Sequence, residues 1–276
     1  MTPPTTGARV RGAWRMILAN YAFRALAGIA GASAIVEIVS PFVAQRPDGD
    51  RDLFANGAAL FLGMGLRALP RLGGVARTEA LVAVGVALLG VVPFAALLHA
   101  LVAPHASIGD RAREALRLGL KLALLLGIAA LVEAVCVGLA VLMVSLVDHP
   151  GDSPANLASA AGLSLVGLVP LALVAILHDL ARVAVVARRR SVLDALGHAA
   201  RVMRRKPGAV LLLVVGGWMA STLCAALGFA AAGWIGLRSD ARVVAVLVLQ
   251  QLAVLGILAV RAVYFARLIT IDAEVR

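Results

Sequence analysis

Charge is scarce in this chain. Only 15% of its 276 residues are Asp, Glu, Lys or Arg, against about 25% in an ordinary soluble domain. Aromatic residues make up 4% and cysteines number two. The low charge excludes a disordered chain, and with 62% hydrophobic residues and a mean hydropathy of +0.96 it excludes a water-soluble globular enzyme. Cys136 and Cys224 both fall inside apolar runs, so neither a disulfide scaffold nor a thiolate metal cluster is expected. There is no Gly-x-x-x-x-Gly-Lys phosphate loop, no His-Glu-x-x-His zinc motif and no Gly-x-Ser-x-Gly nucleophile turn. An ATPase subunit, a zinc protease of that type and a serine hydrolase of that type are therefore not expected. Nor is any cofactor or resident metal.

What is abundant is apolar sequence in long runs. A spanning helix needs about 20 mostly apolar residues. Six such stretches occur, at about 25–44, 78–103, 118–147, 159–181, 208–231 and 243–266. The expected fold is an all-α, polytopic membrane helix bundle forming a single integral membrane domain over 1–276. Arg9, Arg11 and Arg15 precede the first stretch, and Ala32-Ser33-Ala34 has the small residues of a signal-cleavage site. Arg24 interrupts the would-be apolar core, however, so an uncleaved first span is expected.

The net charge of +11 comes from 26 basic against 15 acidic residues, and all but Lys121 and Lys206 of the basic ones are Arg. These residues sit mainly between apolar runs, which points to anionic headgroups as partners and away from nucleic acid. Alternate connections and the two termini carry 17 Lys and Arg, whereas the intervening loops carry seven. The rule that basic loops stay inside then places both termini in the cytoplasm of a bacterial inner membrane. The apolar segment 53–69 is too short for a further span, which would also invert the eight-charge segment 182–206. It is expected as an interfacial or re-entrant helix.

An internal repeat is expected as well. Aligning Ser107 with Ser191 without gaps matches Asp110 with Asp194, Ala115 with Ala199, Arg117 with Arg201 and Lys121 with Arg205. Each copy opens on Ser-x-x-Asp, a helix-start signal. Interfacial amphipathic helices are expected at 107–117 and 191–205, each leading into a hairpin of two spans, so that the copies form parallel repeats. In the second helix Val192, Leu196, Ala199 and Met203 make the apolar phase. Asp194, His198, Arg201 and Arg205 make the polar one. Arg201, Arg204, Arg205, Lys206, Arg117 and Lys121 are the candidate headgroup contacts.

Ionisable residues inside spans are the candidates for function, since each costs about 2.5–3.5 kcal/mol at a helix centre on insertion scales. Glu133 stands midway along the third stretch. It is read either as a proton-carrying site or as a hydrogen-bonded carboxyl that locks packing. Arg24, His99, His178, Asp179, Arg182 and Arg261 all fall toward the inner side. Asp179 and Arg182, three apart, can pair along one helix. Two readings stand for this group, an ion-pair staple and the inner gate of a pathway.

The run Asp179-Leu180-Ala181-Arg182, Arg188-Arg189-Arg190-Ser191, Asp194-Ala195-Leu196 and Arg204-Arg205-Lys206-Pro207-Gly208 resembles a known family. It is similar to the membrane domain beside some bacterial glycerophosphodiester phosphodiesterases and to its stand-alone six-span relatives. The likeness is confined mainly to 178–210, and the catalytic domain has no counterpart here. It implies a membrane-embedded accessory role and carries over no active site. Two functions are therefore weighed. One is a non-enzymatic accessory or scaffold protein binding anionic lipid or a membrane protein partner. The other is a transporter or channel for a small solute or lipid, using Glu133 and the inner polar cluster. A water-reachable path to Glu133 separates them.

Overall fold

The computed structural model describes residues 4–43, 82–147, 154–235 and 239–275, and among these every regular element is an α-helix. In chain order they are α1 (Thr6–Val43), α2 (Val82–Val102), α3 (Ile108–Val147), α4 (Pro154–Arg188), α5 (Val192–Arg205), α6 (Pro207–Ile235) and α7 (Asp240–Glu274). Five contain stretches long and apolar enough to cross a membrane: α2, α3 over Ile108–Ala140, α4 over Leu168–Arg188, α6, and α7 over Ala241–Glu274. The chain is a multi-pass helical membrane protein. The remaining expected span, 25–44, lies in α1, which carries Arg9, Arg11, Arg15 and Arg24 and is not among these five. The interfacial segment expected at 53–69 lies outside the described residues.

Two helix starts confirm the Ser-x-x-Asp reading atom by atom. The Ser107 Oγ accepts from the Asp110 backbone N–H at 3.1 Å and donates to its carboxylate at 2.6 Å. Ser191 and Asp194 repeat this at 3.2 and 2.6 Å. Each hydroxyl satisfies one of the unpaired amides of a helix N-terminus.

The two helices then diverge. The stretch 107–117, expected as a separate interfacial helix, forms the first turns of α3, which runs unbroken to Val147. The second copy is broken between α5 and α6 at Lys206 (φ −135°, ψ 51°). Pro207 explains the difference. It brings no N–H to the preceding turn, and it disfavours helical backbone at the residue before it. The aligned position in the first copy is Ala123, which is a strong helix former.

By its internal contacts the chain divides into two compact units, Met1–Leu18 with Val92–Arg276, and Ala19–Val91. In the smaller unit α1 and α2 approach closely at Gly90, where a Cβ would meet the Phe23 ring at 3.1 Å. In the larger unit α3 packs on α4, α4 on α5 and α7, and α6 on α7. Leu98, Leu101, Leu122, Leu125, Leu180, Phe265 and Leu268 form its fully buried core. The first turns of α1 are tied down by two buried arginines. Arg9 donates to the Leu101 carbonyl at 2.8 Å, and Arg111 donates to the carbonyls of Gly12 (3.1 Å) and Pro104 (2.7 Å).

Candidate functional site: a polar cleft among four helices

α3, α4, α6 and α7 surround a cavity of about 490 Å³ in the larger unit. That volume is within the range of small-molecule sites, about 300–1,000 Å³. Its walls are mostly apolar, with Leu126, Ala129, Ile176, Val214, Ile257 and Val260 among them. Into it converge Glu133 from α3, His178, Asp179 and Arg182 from α4, Trp218 and Ser221 from α6, and Arg261 and Tyr264 from α7.

The helical periods explain the convergence. Asp179 and Arg182 are three residues apart, as are Arg261 and Tyr264, so each pair shares one helix face. Arg182 Nη1 lies 3.0 Å from Asp179 Oδ1, and both side chains are more than four-fifths buried. Tyr264 lines the same part of the cleft as this carboxylate. Phe94 of α2 and Phe265 stand edge to face at 5.2 Å behind the two guanidiniums. Arg182 is 4.9 Å from the Phe94 ring, and Arg261 is 5.9 Å from Phe94 and 5.7 Å from Phe265. Electron-rich ring faces partly replace the water these cations have lost.

Three groups in the cleft lack a hydrogen-bond or ion-pair partner among the described residues. Arg261 has no carboxylate within 4 Å, and Glu133 has no hydrogen bond or ion pair. The third is His178, which is 8% exposed and whose Nε2 has no hydrogen-bond partner.

The sequence-level candidates sort cleanly. His178, Asp179, Arg182 and Arg261 are brought together as expected. Glu133, expected deeper than that group, lines the same cavity. His99 does not join them. It lies near the start of α3, among Glu114, Arg111, Arg189 and Asp110. Arg24 belongs to the smaller unit. The sequence reads Tyr264 as an interfacial anchor and does not mark Ser221, yet both line the cleft. The three-residue step from Arg261 would have flagged Tyr264. No comparable signal marks Ser221.

A second polar centre joins the ends of α4 and α7 to α5. Arg188 donates to Asp272 Oδ2 at 2.7 Å and also to the carbonyls of Asp272 and Val275, so it caps the C-terminus of α7. His198 Nε2 lies 2.6 Å from Asp272 Oδ1, with both side chains 4% exposed. A carboxylate held by Arg188 can only accept there, so Nε2 carries the proton. Burial pushes the His198 imidazole below its ordinary range, against the opposing pull of Asp272. This corrects the expected polar face of α5. Its buried residues are Ala195, His198, Ala199 and Val202, with His198 turned inward because Asp272 gives it a partner.

Of the candidate headgroup residues, Arg201, Arg204 and Arg205 are exposed on α5. Lys206 pairs with Glu274, and Arg117 lies 3.7 Å from Glu114. Lys121 follows one turn further along α3.

These features define a class, a multi-pass helical membrane protein with a polar cleft built into apolar helices. The chain matches no family model, no curated protein and no solved structure.

Proposed function

We propose that this protein binds and moves a small amphipathic solute or lipid through the cleft among α3, α4, α6 and α7, with no bond-making chemistry. The observation that carries the reading is the convergence of Glu133, Asp179, Arg182 and Arg261 on one cavity. A carboxyl that only locked packing would be hydrogen-bonded, and Glu133 has no hydrogen bond and no ion-pair contact within 4 Å among the described residues. The test replaces Cys136 and Cys224 with Ala and introduces Ser221→Cys into the cleft wall. Labelling of the new thiol by a membrane-impermeant maleimide, in intact or opened cells, is expected. No labelling from either side, with full reactivity after denaturation, would sink the transport reading.

The accessory reading keeps one observation in its favour. Arg201, Arg204 and Arg205 face outward on α5, where anionic headgroups or a partner's acidic surface would meet them. The resemblance over about 178–210 falls on this same region. With the counted charge asymmetry, we place α5 and both termini on the cytoplasmic face of a bacterial inner membrane.

We also infer that 107–188 and 191–274 are parallel repeats. Glu114 and His198 occupy aligned positions, and each pairs with a residue at or just beyond the last turn of its own hairpin. Glu114 lies 3.4 Å from Arg189, and His198 lies 2.6 Å from Asp272. The first partners align and the second partners, Arg189 and Asp272, fall one position out of register, at the same end of each hairpin, which supports duplication over coincidence.

A further inference from the structure

The cleft has an electrostatic signature more specific than "polar". Asp179 neutralises Arg182 at 3.0 Å. Among the described residues the cleft charges without an ion-pair contact within 4 Å are one cation, Arg261, and one anion, Glu133, on α7 and α3 respectively. A purely anionic ligand would satisfy Arg261 and be repelled by Glu133. A metal cation or simple amine would do the reverse. A ligand with both charges satisfies both, and His178 Nε2 supplies a further neutral hydrogen-bonding atom, nine-tenths buried and without a partner.

The packing indicates how such a ligand enters. α3 packs on α4, α4 on α7 and α7 on α6, but α3 and α6 are not a packed pair among the described residues. The described helices therefore leave that side of the cleft without a packed α3–α6 wall. Ala130 and Trp218 are exposed on that side, Trp218 by 56%, and each lies well inside an apolar span. A cleft side at that depth faces acyl chains.

We propose that the cleft is the headgroup site of a zwitterionic, ammonium-bearing phospholipid. Its phosphate lies on Arg261, its ammonium on Glu133, and its chains leave between α3 and α6. The assignment rests on the transport reading and names its substrate class. A guanidinium matches phosphate geometry, and charge-assisted hydrogen bonds are the strong ones.

The test is native mass spectrometry of the full chain in mild detergent. The probes are phosphatidylethanolamine, phosphatidylglycerol with the same acyl chains, and free O-phosphoethanolamine. The ethanolamine lipid is expected to be retained about tenfold better than the glycerol lipid, as one charge-assisted hydrogen bond allows. Glu133→Gln should bring that ratio close to one, and Glu133→Asp should restore most of it. Arg261→Gln should lose both lipids. Equal retention by the unaltered protein, or a preference that survives Glu133→Gln, overturns the assignment. Displacement of the lipid by free O-phosphoethanolamine at equal concentration overturns the lipid source. If neither lipid is retained while the Ser221→Cys thiol is still labelled, the substrate class is wrong and the transport reading stands. If that thiol is also unreactive, the transport reading itself falls.

Discussion

Replacing Arg188 with Ala should weaken the junction of α4, α5 and α7, and the loss should shrink as pH falls. Arg188 makes one ionic hydrogen bond, to Asp272 Oδ2 at 2.7 Å, and caps two carbonyls at the end of α7. Removing one partner of a buried ion pair costs about 3–5 kcal/mol. The Arg188 side chain is 23% exposed, so solvent screens part of that interaction, and roughly 2–3 kcal/mol is a better figure near pH 8. The variant leaves Asp272 buried, with His198 as its remaining close partner.

The pH dependence follows from His198. In the unaltered protein burial depresses its imidazole, and Arg188 and Arg190 repel its charged form. A depressed native pKa means that the unfolded chain takes up the proton first. Stability is therefore full above the ordinary imidazole range and declines below it. In the variant the main opposing cation is gone and Asp272 needs a counter-charge, so the His198 pKa rises. A raised native pKa adds stability below the ordinary value and loses it above. Both effects narrow the gap between the two proteins as pH falls from about 8 to about 5.5. Reversible unfolding in mild detergent at the two pH values measures this, with Arg188→Ala/His198→Ala as the control that abolishes the narrowing. A deficit that is constant or widens toward acid would refute the reasoning.

Two further outcomes follow from local geometry. Ser191→Ala and Ser107→Ala should each cost about 1 kcal/mol, because each removes the side-chain cap described at its helix start. Amide exchange should rise at Asp194 and Asp110 respectively. Gly228→Ala should cost about 1–3 kcal/mol, because the added carbon would lie 2.8 Å from the Ala253 Cβ and push α6 from α7. Gly216→Ala on the same helix meets nothing within 4 Å and should be neutral or mildly stabilising in the same unfolding assay.

Much of the helical frame was legible because its signals are local. Length and apolarity marked α2, α3, α4, α6 and α7, and Ser-x-x-Asp marked two helix starts to the atom. What stayed hidden depends on non-local partners. His198 reads as polar-face by its spacing from Asp194 and Arg201. It is buried because Asp272, 74 positions away, reaches it. The unbroken start of α3 was legible in principle, since Ala123 stands where the second copy has Pro207. Shared apolarity around both positions obscured that contrast. Four of the six inner candidates met in one cleft because three-residue spacing and span direction fix helix face and depth together. Glu133 joined them through the packing of α3 on α4, which no hydropathy pattern encodes.

The cleft and its charges have a common origin in how the helices are joined. α6 and α7 close tightly through small residues, with Gly228 against Ala253 and Gly256 against Cys224. α3 and α4 form the other closed pair, and α4 and α7 join the two pairs along one edge. Two hairpins joined on one edge leave a gap between their free helices, α3 and α6. Glu133, Asp179, Arg182 and Arg261 line the cleft behind that gap. The Asp179–Arg182 pair and the Phe94 and Phe265 rings offset much of their cost, but Glu133 and the charge of Arg261 are left. At about 2.5–3.5 kcal/mol each on insertion scales, those two represent roughly 5–7 kcal/mol. That is comparable with the whole net stability of many folded domains, about 5–15 kcal/mol. A fold that only needed to pack would place leucine at both positions. Retaining a separate cation and anion in that cleft is favourable once the cleft holds something that carries both opposite charges.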